Sequence, residues 1–287
     1  MIQKGFLIFM AILVIMITSS LNAIDSLGQS EKFSWLDEEI VLEKLLKDLS
    51  NKNTIETIYV DIGAGNGAMM SNTAKLAKNG WRGLDLEASK KSAEEFAKIY
   101  TDYPLIKFHL GKVTPLNVNQ LLEAYSIPKD FGVLSLDIDG YDYFVLEALL
   151  HKYRPSIIIT EINEKIPPPL EFTVLFDEMY SWECNHFYGQ SICKLKKLCD
   201  EHNYAIVHLE YNNAFLIPMD IYEGKSLSAQ EAYSKGYKNR SKRVEFFPWN
   251  SDMEYLLTAT PEESCLFLNQ FFKKYEGKYT LFIGEEK

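Results

Sequence analysis

Two groups of residues in this chain of 287 have the types and spacing to do chemistry. The first is Asp61-Ile62-Gly63-Ala64-Gly65-Asn66-Gly67, which follows the apolar run Thr57-Ile58-Tyr59-Val60. Glycines there let a backbone turn sharply and approach a ligand that any Cβ would hold away. The spacing is G-x-G-x-G, unlike the G-x-G-x-x-G of dinucleotide folds, and an acid precedes it by two residues. A carboxylate beside the ligand disfavours a pyrophosphate and favours a molecule carrying an ammonium and a sulfonium. Glu87 lies twenty residues past Gly67, at the offset where an acid meets ribose hydroxyls in such folds. Asp85 competes for that role, and strand alternation is expected to aim one of the two at the ligand.

The second group is Leu136-Asp137-Ile138-Asp139-Gly140-Tyr141-Asp142, with Glu161 and Asn163 following at the end of the next apolar run. Three aspartates within six residues are costly to bury unpaired, so they call for donors, protons or a cation. A calcium loop is excluded, because its twelfth position, counted from Asp137, is Ala148. A phosphotransfer Asp-x-Asp-Gly would stand near the start of its domain, and here it stands fourth in strand order. A metal-dependent glycosyltransferase using Asp137 and Asp139 explains the acids and leaves residues 61–67 without a purpose. An acidic turn beside the ligand crevice of an α/β sheet explains both groups. In that reading Asp139 is the first candidate base, Asp137 lies deeper in its strand, and His186 is an alternative. Asp137, Asp139 and Glu161 are then the candidate ligands for Mg²⁺. The bland reading of the same acids is a hydrogen-bonded cluster capping the next helix.

Alternating elements position both groups. Apolar periodicity predicts a helix over residues 35–49, and Ile-, Val- and Leu-rich runs predict strands over 57–62, 81–87, 105–110, 133–138 and 156–162. Helices are expected between them, over residues 68–78, 89–100, 118–125 and 143–150. Strands without polar alternation are buried on both faces, as in a parallel sheet between helix layers. Pro167-Pro168-Pro169 breaks the pattern, and an ordered loop is expected from there to about Gly189. A helix over 191–202, a strand over 204–209 and an antiparallel neighbour over 214–217 follow. Residues 220–287 read as helical and aromatic-rich, with no strand order.

The glycine turn, Glu87 and the α/β alternation resemble the class I S-adenosylmethionine-dependent methyltransferases. The run from Leu136 to Tyr143, with residues 155–163 after it, resembles their FkbM-like branch. The resemblance covers about residues 57–218. It implies a Rossmann-like seven-strand sheet, mostly parallel, within a domain over 33–218; residues 219–287 lie outside the resemblance and are expected as a helical C-terminal extension. It also implies that Asp61, Gly63, Gly65 and Gly67 surround the methionine portion of S-adenosylmethionine, that Glu87 holds the ribose, and that Asp137 lines the same crevice. The branch acts mainly by O-methylation of small molecules and sugars, so a small-molecule or glycan acceptor is the expected partner. A methyltransferase-fold protein that binds a ligand without catalysis is the alternative of a different kind.

Bulk properties bound the partners. With 40 acidic and 30 basic side chains the formal charge is −10, which repels phosphate backbones and argues against nucleic acid. Lys238-Asn239-Arg240-Ser241-Lys242-Arg243 is a local exception, to be read as a solvated loop or an anion-binding patch. Cys184, Cys193, Cys199 and Cys265 lack metal-site spacing and are expected as unpaired thiols. Residues 5–17 are apolar and follow Lys4, which suits a signal peptide or a membrane anchor, so residues 1–25 are set apart from the fold. The charge bias around them expects the remainder to be exported or held at a membrane.

Overall fold

The computed structural model describes residues 32–284, so the apolar leader at residues 1–25 lies outside the described residues. In chain order the first elements are α1 (Glu38–Ser50), β1 (Ile58–Ile62), α2 (Ala74–Lys78), β2 (Arg82–Glu87), α3 (Lys90–Ile99), β3 (Ile106–Leu110) and α4 (Val118–Ala124). Then come β4 (Val133–Leu136), α5 (Asp142–Leu150), β5 (Ile157–Glu161), β6 (Leu170–Val174), α6 (Ile192–Glu201), β7 (Tyr204–Glu210) and β8 (Asn213–Pro218). The extension holds α7 (Ala229–Tyr233), a π-helical turn at Ser234–Lys238, α8 (Arg243–Phe246), α9 (Pro261–Phe271) and β9 (Tyr279–Ile283).

Seven strands form one sheet in the order β3-β2-β1-β4-β5-β8-β7. The contacts from β3 to β5 are parallel, while β8 runs antiparallel to both β5 and β7. This is the mixed, mostly parallel seven-strand sheet expected from the resemblance. Its middle strands have no polar face because both faces are covered: Tyr59, Val60 and Ile62 are fully buried. One core cluster packs Val60, Leu134 and Ile158 against α5 and α6, and the opposite cluster packs Tyr59, Val133 and Ile159 with α1 and α3 residues. Helix starts are written locally. The Ser89 hydroxyl accepts from Ser92 N at 3.2 Å, and Thr260 with Glu263 closes a reciprocal capping box ahead of Pro261.

The structure corrects three expectations. The helix after the glycine turn covers only Ala74–Lys78. Asn66 Oδ1 takes the N–H groups of Ala68 and Met69, and Ser71 Oγ takes those of Thr73 and Ala74, so side chains capture donors that a longer helix would use. The segment after the prolines contains β6, which pairs antiparallel with β9 from Leu170↔Ile283 to Val174↔Tyr279. A partner more than a hundred residues away leaves no local signature. The extension, read without strand order, supplies β9 to that pair, and its Ala232, Tyr233, Tyr237 and Phe247 belong to the same core cluster as β1 and β4. All four cysteines are free. Among the described residues no helix is long and apolar enough to cross a membrane.

Candidate active site

Both chemical groups lie at the carboxyl edge of the sheet, where β1, β2, β4 and β5 end. The three glycines of the first turn differ in what surrounds them. A Cβ on Gly63 would stand 1.7 Å from the carbonyl oxygen of Asp137, and one on Gly67 would stand 2.7 Å from the rings of Phe96 and Tyr100. Both glycines therefore serve close packing against the protein itself. Gly65, at φ +57°, has nothing within 4 Å of its Cβ position. Bare backbone there borders open space.

Glu87 stands at the rim of that space. Its carboxylate accepts Gly65 N at 2.9 Å and Ser89 N at 2.7 Å, which fixes it against the turn. Asp85 is fully buried and takes the Tyr59 hydroxyl at 3.0 Å. Residues two apart share a strand face, so alternation does not separate these acids; depth does. Asp85 lies beneath the turn and Glu87 at its edge. Asp61 is also buried and accepts the Thr73 hydroxyl at 2.6 Å. Burial pushes its pKa up to about 6, against the hydrogen bonds from Thr73 and Ser135.

At the second turn, Asp137 N donates to Ile62 O at 2.9 Å, which joins the two turns side by side. Asp142, fully buried at the start of α5, accepts Ile138 N and Gly140 N, each at 2.9 Å. It closes the loop on itself and leaves Asp137 and Asp139 at the mouth. These two and Glu161 each place a carboxylate oxygen within 4.8 Å of the others. Asn212 Nδ2 donates to Glu161 Oε1 at 2.8 Å, and Glu161 Oε2 is buried without a hydrogen-bond partner. Burial, then the Asp139 and Asp142 charges, raises the Asp137 carboxyl well above the usual range. Burial, then Asp142, pushes Asp139 up to about 7 while Lys165 pulls it back. Glu161 is raised well above the usual range by burial and by Asp137. Three acids this close share protons or hold a cation.

Residues 109–189, from the end of β3 through the acidic turn to Gly189, match the methyltransferase FkbM domain family. The match includes Asp137, Asp139 and Glu161; the glycine turn and Glu87 precede it. Among solved structures, this chain is similar to the N-terminal domain of EvdMO1 with SAH bound, at 10% identity over 65% of this chain and 82% of that one, TM-score 0.42. It is similar to an O-methyltransferase from Bacillus cereus in complex with SAH, at 16% identity over 70% and 86%, TM-score 0.40. A third is an S-adenosylmethionine-dependent methyltransferase from Clostridium acetobutylicum, at 12% identity over 63% and 90%, TM-score 0.39. No curated protein matches the sequence.

His186 lies within the matched segment. Its Nε2 pairs with Asp252 Oδ1 at 3.1 Å and its ring lies 5.8 Å from that of Phe271, so the imidazole ties the inserted segment to the extension. Asn163 is likewise occupied, donating to the His186 and Tyr188 carbonyls, each at 2.9 Å. Three of the four cations of the basic run are engaged internally: Arg240 forks onto Glu210, Arg243 pairs with Glu254, and Lys238 bonds the Leu257 carbonyl, while Lys242 is exposed over the Phe246 ring.

One feature of the matched segment has no sequence reading. Lys165 and Glu164 are buried, and Lys165 Nζ donates to Glu164 Oε1 at 3.1 Å and to the Tyr188 hydroxyl at 2.6 Å. Asn250 Nδ2, from the extension, adds a bond to Glu164 Oε1 at 2.6 Å. This pair supplies the cation that faces Asp139. Adjacent Glu and Lys before a proline run look like a solvated loop, and only the covering extension makes them interior.

Proposed function

We propose that the protein transfers the methyl group of S-adenosylmethionine to an oxygen of a small molecule or glycan. The observation that carries this is the open space at Gly65, bordered by Glu87 and lying beside the acidic turn. S-adenosylmethionine fits these residues: bare backbone admits its amino-acid portion, and the fixed Glu87 carboxylate retains lone pairs for ribose hydroxyls. The bound cofactor would supply an electrophilic methyl on a sulfonium. What the chain must add is a nucleophile held in line and close, an effect worth about 7 kcal/mol or more at its best. Asp139 would take the acceptor's proton, and a pKa of about 7 leaves it part ionised near neutrality.

Mg²⁺ belongs to the same proposal. Asp137, Asp139 and Glu161 offer hard oxygen ligands, and the unpartnered Glu161 Oε2 is the group that a cation would satisfy. Bound there, the cation would lower the pKa of an acceptor hydroxyl.

Calorimetry with S-adenosylhomocysteine, followed by transfer of a labelled methyl group to an acceptor panel, tests the reading. Binding lost in Glu87→Ala and turnover lost in Asp139→Asn are the expected results. Absence of cofactor binding by the intact protein removes the proposal. For the metal, Mg²⁺ should raise Tm at pH 8 and not at pH 5, where the acids hold their protons, and Glu161→Gln should abolish the rise.

A further inference from the structure

At the carboxyl edge of the sheet, around both turns, large apolar side chains stand in solvent. Met69 and Met70, on the loop after β1, are each 54% exposed, and Leu116, on the loop after β3, is 67% exposed. Met179, on the inserted segment, reaches 87%. It belongs to the same edge, because Lys112 Nζ, from the loop after β3, donates to the carbonyls of Glu178 at 2.6 Å and Tyr180 at 2.7 Å on either side of it. The Tyr180 hydroxyl in turn donates to Asp139 O at 3.1 Å. Met70 holds a left-handed backbone at φ +56°, a conformation that costs free energy in any residue with a side chain. Cations stand among these side chains. Lys90, Lys91 and Lys112 are exposed, and among the described residues none of them pairs with a carboxylate, though exposed Glu178 partly offsets their charge. Lys90 and Lys91 open α3, whose first turn holds no acid, so both oppose the helix dipole. Local helix stability does not account for lysines there.

We infer that this rim is a docking surface for an anionic phospholipid bilayer, with the mouth of the site turned toward the lipid headgroups. The inference does not depend on methyl transfer. Where the chain enters the fold argues for that occupant. The described residues begin at Lys32, and Phe33 O accepts Ser71 N at 3.2 Å, one residue beyond Met70. The apolar run at residues 5–17 therefore connects to the fold beside the exposed methionines. Flexible, polarisable Met side chains adapt to the boundary of headgroups and acyl chains, and interspersed lysines meet lipid phosphates. At a formal charge of −10 the molecule as a whole is repelled by an anionic surface, so a cationic rim fixes which side approaches. A second copy packed symmetrically on this rim would bring the same lysines against each other. A nucleic acid would meet methionines where it needs stacking rings or further cations.

Hydrogen exchange of the full chain, read by mass spectrometry with and without vesicles, tests this. Sedimentation through residues 5–17 would not distinguish one surface from another, so local exchange is the deciding measurement. On vesicles of mixed phosphatidylcholine and phosphatidylserine, exchange over residues 67–71, 111–117 and 177–181 should slow by about tenfold or more. On phosphatidylcholine alone the slowing should be smaller. Leu116→Asp with Met179→Asp should remove the protection and leave Tm unchanged, since both side chains are exposed. Lys90→Glu with Lys91→Glu should reduce it to the level on phosphatidylcholine, a change that favours α3 and so does not act by unfolding it. Equal exchange with and without vesicles, equal protection on phosphatidylcholine alone, or protection that survives the Asp variants overturns the inference. So does protection that falls on residues 238–246 or 266–283 instead. Protection that rises with protein concentration in the absence of vesicles, or that a DNA duplex supplies in their place, overturns it in favour of another partner. Calorimetry with S-adenosylhomocysteine on the same sample reads the methyltransferase proposal separately. Rim protection without cofactor binding defeats that proposal alone, and cofactor binding without rim protection defeats this one.

Discussion

Gly63 and Gly65 are two residues apart, and substitutions should separate their roles. Gly65→Val adds a branched side chain at φ +57° where space is open, so the strain is about 1–2 kcal/mol and the fold should survive. Its S-adenosylhomocysteine affinity should fall by more than about tenfold, because the new side chain occupies the cofactor's space. Gly63→Ala should instead cost about 3 kcal/mol or more, because its methyl meets a backbone carbonyl that cannot move aside. Equal losses of stability in both variants, read by urea melts, would contradict the assignment. Asp85 offers a pH test. Burial, then the Asp61 charge, raises its folded carboxyl well above the ordinary range, while the unfolded chain releases that proton at an ordinary pKa. Its contribution to stability is therefore full below the ordinary carboxylate pKa and declines as pH rises toward the folded value. Asp85→Asn keeps an acceptor for Tyr59 and cannot ionise, so its stability relative to the parent should improve steadily between pH 5 and pH 8. Parallel stability curves for the two proteins would show that Asp85 does not titrate in this way.

At the scale of elements, the acidic turn depends on the first residue of α5. Asp142 satisfies two N–H groups of the loop that carries Asp137 and Asp139. Asp142→Ala should cost about 2 kcal/mol, the loss of two bonds to a buried carboxyl, and should weaken cation binding through displacement of the loop. A variant with unchanged Tm and unchanged Mg²⁺ response would show that the turn holds its shape by other means. Lys165 joins β5, the inserted segment and the extension. Lys165→Met leaves Glu164 buried without its counterion and should cost about 3–5 kcal/mol. The double variant with Glu164→Gln should recover much of that loss, since the remaining buried charge is then also removed. A double variant no more stable than the single one would refute the pairing.

The whole molecule is organised by its chain end returning to the sheet domain. β9 pairs with β6, Tyr275 stacks on Phe187, and the Tyr233 hydroxyl reaches the Glu164 carbonyl at 2.9 Å. Extension and sheet share one core, so calorimetry should show a single unfolding transition that coincides with loss of near-ultraviolet dichroism. Removing residues 273–287 would uncover Phe172 and Phe187 and should lower Tm sharply. Two separable transitions, or a truncated chain of unchanged Tm, would show the extension to be an independent layer.

The sequence by itself determined what depends on near neighbours. Apolar runs marked the strands, Ser89 marked a helix start, and glycines with nearby acids marked both turns, because capping, turning and β-burial are settled within a few residues. Tertiary structure decided the rest. It distinguished Gly65 from Gly63 by what lies across the gap, and it set Glu87 above Asp85 by depth rather than alternation. It turned His186 toward Asp252 and buried the Glu164–Lys165 pair beneath the extension. It also paired β6 with β9 across more than a hundred residues. Each of these outcomes depends on contacts between distant segments, and a local pattern carries no record of which distant surface will close over it.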